Sequence, residues 1–411
     1  MLDIQKRFSR TFFALLSLPA TAMGFALSVQ ISALSWILST QYHLDVHEVG
    51  IVWAAGPIAG IVGQVLIGLI SDKIWFWGGR RKPFIWIGGT LAALSLLALP
   101  NLGGISDSLG IPILIVAVSV ALTLDLSINI SFNPTRSVIA DVTPEGEKRT
   151  QGYTWMQTIS GMFGVLAYAV GAINGNYTLI YFGVFLVLFF SIVPPMFITE
   201  PRSLEVTTAA DSSGTQPSNL KQLLRIYFAH GFCWIGIQTM FVYMIFYIKE
   251  NMGITADESA GQVISISFLV LNTVGFILPA TVLEPLAKRI GRVKVHSISM
   301  AFMTLGYLLI VFIGRQPFAV YCCMAVAGIG WAATVSLPFA IMTEKVDKAR
   351  MGFFMGIFNL SVVLPQLLVS LVLGGVIQAA ENKSIIFVIS AVSLAISAIL
   401  WTFVKEESVN K

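Results

Sequence analysis

The sequence predicts an all-α membrane protein in which twelve helices cross the bilayer. Apolar residues make up 56% of the 411 residues, charged residues only 11%, and the mean hydropathy is +0.82. Average soluble domains are about one quarter charged, and a soluble fold of this size could not cover its surface with so few charges. The apolar runs are continuous and do not alternate with polar residues, which excludes a β-barrel.

Each predicted helix is an apolar run of about twenty residues or more, the length that crosses the hydrocarbon core. The first run continues to Leu38 and is therefore too long for the core of a secretory signal peptide. The twelve runs lie near residues 11–38, 48–70, 84–104, 112–142, 151–173, 178–199, 225–247, 259–284, 295–314, 318–342, 351–379 and 384–404.

The basic residues between these runs predict the orientation. Alternate loops and the two termini hold most of the 25 Lys and Arg residues, whereas the opposite loops hold only Lys249, Arg315 and Lys383. Because cytoplasmic loops carry the excess of Lys and Arg, both termini are predicted to be cytoplasmic. We expect a multi-pass protein of the cell or inner membrane.

The chain is predicted to consist of two halves. A polar stretch rich in Ser, Thr, Pro and Asp follows the sixth run, so we expect a six-helix bundle at residues 1–199, a cytoplasmic linker at 200–224 and a second bundle at 225–411. Basic, glycine-containing loops follow the second and the eighth runs. This repetition indicates duplication of a six-helix unit.

Those loops also carry a family resemblance. Residues 68–73, followed by Gly79, Arg80 and Arg81, resemble the G-x-x-x-D-[RK]-x-G-[RK]-[RK] loop of the major facilitator superfamily, with extra residues at 74–78. Other segments resemble the sucrose–proton symporters of plants, the related animal sugar carriers and their bacterial relatives in the glycoside–pentoside–hexuronide group. These segments are residues 56–60 with Gln64, 79–85, 124–126 with Asn129, 134–136, 140–141, 271–272, 284–287, and Asn359 with 365–366.

The resemblance implies the major facilitator fold of two pseudo-symmetric bundles and proton-coupled symport of a glucoside such as sucrose or maltose by alternating access. One departure concerns the seventh run, where the plant carriers bring acidic residues and this chain has none before Glu250. Sodium coupling is the neighbouring alternative, since melibiose-type carriers use carboxylates in their second helix. Here the interior of the second run offers Gln64 and no acid, which favours the proton as coupling ion.

Asp125 is predicted to be the functional acid because it lies deep within the fourth apolar run. An ionisable group there is costly and is expected to face a pathway. Arg136 follows eleven residues later, about 20° from the same helix face and about 16 Å along the axis. The resemblance implies that Asp125 accepts the proton and that Arg136 is its basic partner; the alternative is a static polar contact.

Amide and indole side chains inside the runs are predicted to bind the sugar, because sugars need fixed hydrogen-bonding groups and aromatic faces. Asn129 and Asn133 follow Asp125 at helical spacing and form our preferred cavity face; the alternative for each amide is an interhelical hydrogen bond. The candidates are Gln30, Gln64, Asn129, Asn133, Trp155, Gln157, Trp234, Gln238, Asn272, Trp331, Asn359 and Gln366.

Charged residues at the predicted cytoplasmic helix ends are candidates for gating. The set comprises Asp72, Arg80, Arg81, Asp141, Glu284 and Arg292. In the superfamily, loops of this kind pair with neighbouring helices and stabilise the outward-open state. For the basic members the alternative is an orienting charge alone.

Other functions are less consistent with the sequence. No nucleotide-binding loop, metal-ligand cluster or nucleophile–base pair occurs, so we expect no enzyme activity, no ATP use, no cofactor, no metal and no nucleic-acid partner. The expected partners are a small sugar, protons and the lipid bilayer, with the protein a monomer. Two alternatives remain: a proton-driven exporter of small amphipathic compounds, with a wider and more apolar cavity, or a transport-inactive assembly or sensor protein.

Overall fold

A computed structural model describes residues 3–61, 75–144, 147–201, 219–346 and 351–406. Within these ranges the chain is almost entirely helical, and the β pairing consists of one isolated bridge between Phe76 and Gly79. Eleven helices of the described part are long and apolar enough to cross a membrane, and a shorter apolar helix ends where the description stops. The predicted all-α membrane fold is confirmed.

We number these helices in chain order. They are α1 Arg10–Thr40, α2 Val46–Ile61, α3 Lys82–Leu109, α4 Ile113–Val142, α5 Glu147–Asn174, α6 Asn176–Met196, α7 Leu220–Asn251, α8 Asp257–Ile290, α9 Arg292–Ile313, α10 Pro317–Thr343, α11 Phe354–Ala379 and α12 Ile385–Thr402. Each coincides with one predicted run within a few residues. The second half of the predicted run 48–70 lies outside the described residues.

Local sequence accounts for several helix ends. Ser9 accepts the amide hydrogen of Phe12 and caps α1, and Asn219 accepts that of Gln222 and caps α7. Gly110, in the left-handed region at φ 65°, ends α3. Pro112 then precedes the first residue of α4, so α3 and α4 are separated by a tight turn.

The helices form two compact units. The first comprises Met1–Leu44 and Ile51–Val206, and the second Asp45–Gly50 and Thr207–Lys411. In the first unit α1 packs on α5 and α6, and α3 packs on α4 and α6. In the second unit α7 packs on α11 and α12, and α9 packs on α10 and α12. The same pairings therefore recur after six helices, as an internal repeat requires. Most of the predicted linker at 200–224 lies outside the described residues, and its limits stay a prediction.

Small residues allow α3 to approach its neighbours closely. A methyl group on Gly88 would lie 2.6 Å from the carbonyl oxygen of Ser127 on α4, and one on Gly89 would overlap the side chain of Ser191 on α6. Glycine and serine at a helix interface permit backbone contact where lipid supplies no hydrophobic driving force. The start of α3, where the charged residues lie, is thereby held against α4 and α6.

Candidate functional site

Asp125 is buried inside the first unit and is held by a neighbouring helix. Its side chain is 7% exposed, and the Gln30 amide of α1, 3% exposed, donates a 2.9 Å hydrogen bond to Oδ2. On α2, a methyl group at Gly56 would lie 3.3 Å from the same oxygen. The carboxylate of α4 thus faces α1 and α2 within the protein and does not face lipid. The predicted inward orientation of Asp125 agrees with this position.

The polar side chains that were predicted to share one face of α4 make different kinds of contact. Asn129 donates its amide to the backbone carbonyl oxygen of Asp125 at 2.8 Å, and both Asn129 and Asn133 are half-buried. Arg136 is exposed and lies with its guanidinium carbon 4.2 Å above the ring of Phe132. Asp125 therefore takes its side-chain hydrogen bond from Gln30, whereas Arg136 makes a cation–π contact one turn back along α4.

In the second unit the predicted aromatic and amide residues form two contacting groups. The Trp331 indole of α10 donates a 3.1 Å hydrogen bond to Asn272 of α8, and its ring stands at 81° to that of Trp234, 6.4 Å away. One turn beyond Trp234, Gln238 of α7 accepts a 3.2 Å hydrogen bond from Gln366 of α11. Helices α7, α8, α10 and α11 therefore bring five predicted sugar-binding residues into two groups. One group includes Trp234 of α7, and the other includes Gln238, one turn further along the same helix.

Three other sugar-binding candidates are less tightly placed. Trp155 and Asn359 are half-buried on α5 and α11, and Gln157 is exposed on α5. Gln64 lies outside the described residues. Within the described ranges, Trp155, Gln157 and Asn359 make no hydrogen bond to the Asp125 site or to the groups on α7. The role of all four residues in binding stays a prediction.

A buried charge network lies at the start of α3 in the first unit. Arg81 Nε contacts Asp141 Oδ2 of α4 at 2.9 Å, and the two side chains are only 7% and 11% exposed. The Glu200 carboxylate, just beyond α6, accepts the backbone N–H groups of Arg80, Arg81 and Lys82 at 2.7–2.9 Å. Because the N-terminus of a helix carries partial positive charge, the carboxylate stabilises the start of α3.

The second unit repeats this network at the start of α9. Arg292 pairs with Glu344, just after α10, and the Glu406 carboxylate beyond α12 accepts the backbone N–H groups of Arg292 and Val293. A glycine precedes the helix in each unit: a methyl group on Gly79 would lie 2.7 Å from Glu200 Oε1, and one on Gly291 would overlap the Glu406 carboxylate. The glycine in each unit therefore leaves room for the carboxylate at its present position beside the start of the helix.

The gating candidates that the structure describes belong to three separate sets of contacts. Arg80, Arg81 and Asp141 belong to the first network and Arg292 to the second, whereas Glu284 forms an exposed pair with Lys288 one turn along α8 at 2.7 Å. Asp72 lies outside the described residues.

Several site residues were missed from the sequence. The carboxylates of Glu200, Glu344 and Glu406 follow the ends of α6, α10 and α12, and the repeated position after the sixth and twelfth helices was the signal that could have indicated Glu200 and Glu406. His230, which accepts a 3.0 Å hydrogen bond from the Trp234 indole, carried no such signal. Its spacing from Trp234 is common on any helix.

Comparison with known proteins identifies the family. The model of the Major Facilitator Superfamily matches residues 16–369 and again residues 270–411. The chain belongs to the major facilitator superfamily. Its members are transporters and not enzymes, so this chain is a multi-pass integral membrane protein of the transporter class.

Relatives within the superfamily include the sucrose transport protein SUC4 of Arabidopsis thaliana, 26% identical over 82% of this chain and 79% of that protein. The sucrose transport protein SUT2 of Oryza sativa subsp. indica is 27% identical over 85% of each chain. The general alpha-glucoside permease of Schizosaccharomyces pombe is 25% identical over 40% of this chain and 31% of that protein. The predicted resemblance to the sucrose transport proteins of plants is confirmed.

Solved superfamily structures share the fold. The nucleoside transporter NupG superposes with a TM-score of 0.72 at 13% identity and covers 96% of this chain and 100% of its own. The xylose transporter XylE from E. coli gives 0.73 at 14% identity and covers 97% of each chain. At these identities the similarity establishes the major facilitator fold.

Proposed function

We propose that this chain is a proton-coupled symporter that takes up a glucoside such as sucrose or maltose by alternating access. The observation that carries the proposal is the buried Asp125 carboxylate on α4, bound by Gln30 and enclosed by α1 and α2. A titratable group in the interior of a membrane protein is costly and is typical of proton pathways.

The sugar is proposed on two grounds. Relatives aligned over most of the chain are sucrose transport proteins, and another is a general alpha-glucoside permease. In the second unit, two half-buried tryptophans and a pair of glutamines offer the aromatic faces and amide groups with which proteins bind sugars.

Coupling follows from the chemistry of the acid. A carboxyl group can bind a proton and release it again. Asp125 is proposed to bind a proton on one side of the membrane and to release it on the other. A membrane potential supplies about 2.3 kcal/mol per charge for each 100 mV, which can drive the sugar uphill if half-loaded carriers do not cross.

The remaining assignments are part of the same proposal. Arg136 is the basic partner of the acid on α4, and the networks around Arg81 and Arg292 are gates. Both termini face the cytoplasm of a cell or inner membrane, since the predicted loops on that side hold most of the Lys and Arg residues. The protein acts as a monomer, and its partners are the sugar, protons and the lipid bilayer.

The test is proton uptake by proteoliposomes that contain the purified protein and are challenged with a panel of sugars. Alkalinisation of the external medium by one class of glucosides supports the proposal. Sugar uptake without proton movement would show that transport is not coupled to protons. Dependence of uptake on sodium would show that Na⁺ is the coupling ion. If amphipathic cations collapse a proton gradient and no sugar does, the protein is an exporter, and movement of neither solute identifies a transport-inactive protein.

A further inference from the structure

The indole N–H of Trp234 is already satisfied by the protein. It donates a 3.0 Å hydrogen bond to Nε2 of His230, one turn earlier on α7. His230 is only 3% exposed, and its ring stacks on Phe358 of α11 at 4.7 Å with 11° between the planes. Because Nε2 accepts a hydrogen bond, the imidazole is neutral and carries its proton on Nδ1. His230 therefore fixes both the position and the rotation of the Trp234 ring.

The second indole is held in the same way. Trp331 donates its N–H to Asn272 Oδ1 at 3.1 Å, and the Asn272 amide donates to the carbonyl oxygen of Phe268 at 2.9 Å. The ring of Phe241 lies edge-on against Trp331, with centroids 5.4 Å apart and planes at 80°. Trp331 is thus restrained by one hydrogen bond and by ring packing.

These contacts determine what the two indoles can offer a ligand. Both rings are half-buried, stand at 81° to each other with centroids 6.4 Å apart, and have their N–H donors occupied. What remains available is apolar ring surface. The C–H faces of a pyranose ring match such surface, whereas its hydroxyl groups need partners elsewhere. Gln238, one turn further along α7, and its partner Gln366 of α11 retain hydrogen-bonding groups beyond their mutual bond.

We propose that Trp234 and Trp331 form a two-walled stacking subsite for one sugar ring, in which His230 and Asn272 are positioning residues. This inference rests on the proposed sugar transport and refines it. Asn272 then acts on the ligand through Trp331, whereas the sequence predicted direct contact with a hydroxyl group. Selectivity at this subsite follows the C–H face that a pyranose presents, so sugars with an axial hydroxyl on that face bind more weakly.

The test compares His230→Leu with His230→Gln. Leucine removes the acceptor for the Trp234 indole, whereas the glutamine amide places an oxygen where Nε2 lies. Loss of one positioning hydrogen bond is expected to raise KM for the sugar about 10-fold, with Vmax changed less than about twofold, and glutamine to recover most of the loss. His296→Leu is the matched control, because His296 is fully buried in the same unit and packs edge-on against Trp401 at 4.4 Å.

Two further measurements make the outcome decisive. In protein labelled with ¹⁵N-tryptophan, the indole N–H resonance of Trp234 should move in His230→Leu and stay in place in His296→Leu, with no sugar present. The Trp234→Phe variant has no indole N–H at position 234. Adding His230→Leu to this variant should therefore not raise its KM any further.

The outcomes separate the two proposals. An unchanged KM in His230→Leu overturns the positioning role while sugar transport stands. An equal rise of KM in His296→Leu shows that the effect is structural and likewise overturns it. If the wild-type protein moves no sugar, the proposed function fails, and the subsite fails with it even where the indole resonance responds as expected.

Discussion

Gln30 of α1 donates a 2.9 Å hydrogen bond to Oδ2 of Asp125 on α4, and both side chains are almost completely buried. The bond joins the two helices around the one acid that the sequence placed deep inside a membrane span. A neutral donor satisfies the carboxylate without neutralising it, so the group can still exchange a proton.

Asp125→Asn is expected to abolish proton-driven accumulation and to retain sugar exchange. Asparagine keeps the size of the side chain and an acceptor for Gln30, but it cannot carry a proton between the two sides. Uptake driven by a pH gradient and counterflow of labelled sugar would be compared in proteoliposomes. Asp107→Asn, which changes an exposed acid at the end of α3, should leave both activities intact. Uphill uptake by Asp125→Asn at the wild-type level would falsify the proton-acceptor role.

Gly56→Ala is expected to lower transport without preventing folding. The added methyl group would lie 3.3 Å from Asp125 Oδ2, closer than ordinary contact, so the carboxylate must shift away from α2. Gly24→Ala is the control, because a methyl group there meets no atom within 4 Å. Both changes replace glycine in a helix by a better helix former, worth about 0.5–1 kcal/mol. Initial uptake rates, normalised to protein in the membrane, should fall only in Gly56→Ala.

Arg81 and Asp141 are expected to be strongly coupled. Removing one partner of a buried ion pair leaves the other charge unpaired and costs about 3–5 kcal/mol. Arg81→Ala and Asp141→Ala should therefore each lower the Tm, and the double variant should be less destabilised than the sum of the two. Lys288→Ala serves as the comparison, because Lys288 pairs with Glu284 at the surface, where the two side chains are 73% and 62% exposed. Such a surface pair contributes little to stability, because water and salt screen it. Additive losses at Arg81 and Asp141 would contradict the coupling.

Glu200→Gln is expected to destabilise the first unit. The amide is neutral and turns one acceptor into a donor that faces the backbone N–H groups of residues 80–82. We expect a loss of about 1–3 kcal/mol, measured as a lower Tm of the purified protein in detergent. Glu258→Gln removes an exposed charge from the first turn of α8 and should change stability far less. Equal losses in both variants would mean that only the helix dipole matters.

The sequence by itself determined the membrane-spanning class, the positions of the helices and the presence of one acid, Asp125, deep within a span. These features depend on the number of consecutive apolar residues and on the cost of a charge in hydrocarbon, and both can be read along one chain. The repeat between the two halves was visible for the same reason, as the glycine and arginine residues near positions 79 and 291 stand at equivalent helix ends.

Only the tertiary structure decided which side chains form hydrogen bonds with each other. Gln30 and Asp125 are 95 positions apart, and Glu200 lies 118 positions or more from the amides that it accepts. Many amides and acids in this chain were equally good candidates for such contacts. The same limit applies to His230, whose hydrogen bond to Trp234 is local but acquires meaning only because Trp331 from α10 packs at a right angle to that tryptophan. Helix length is a local property of the chain, whereas the identity of a hydrogen-bond partner depends on which helix faces pack together.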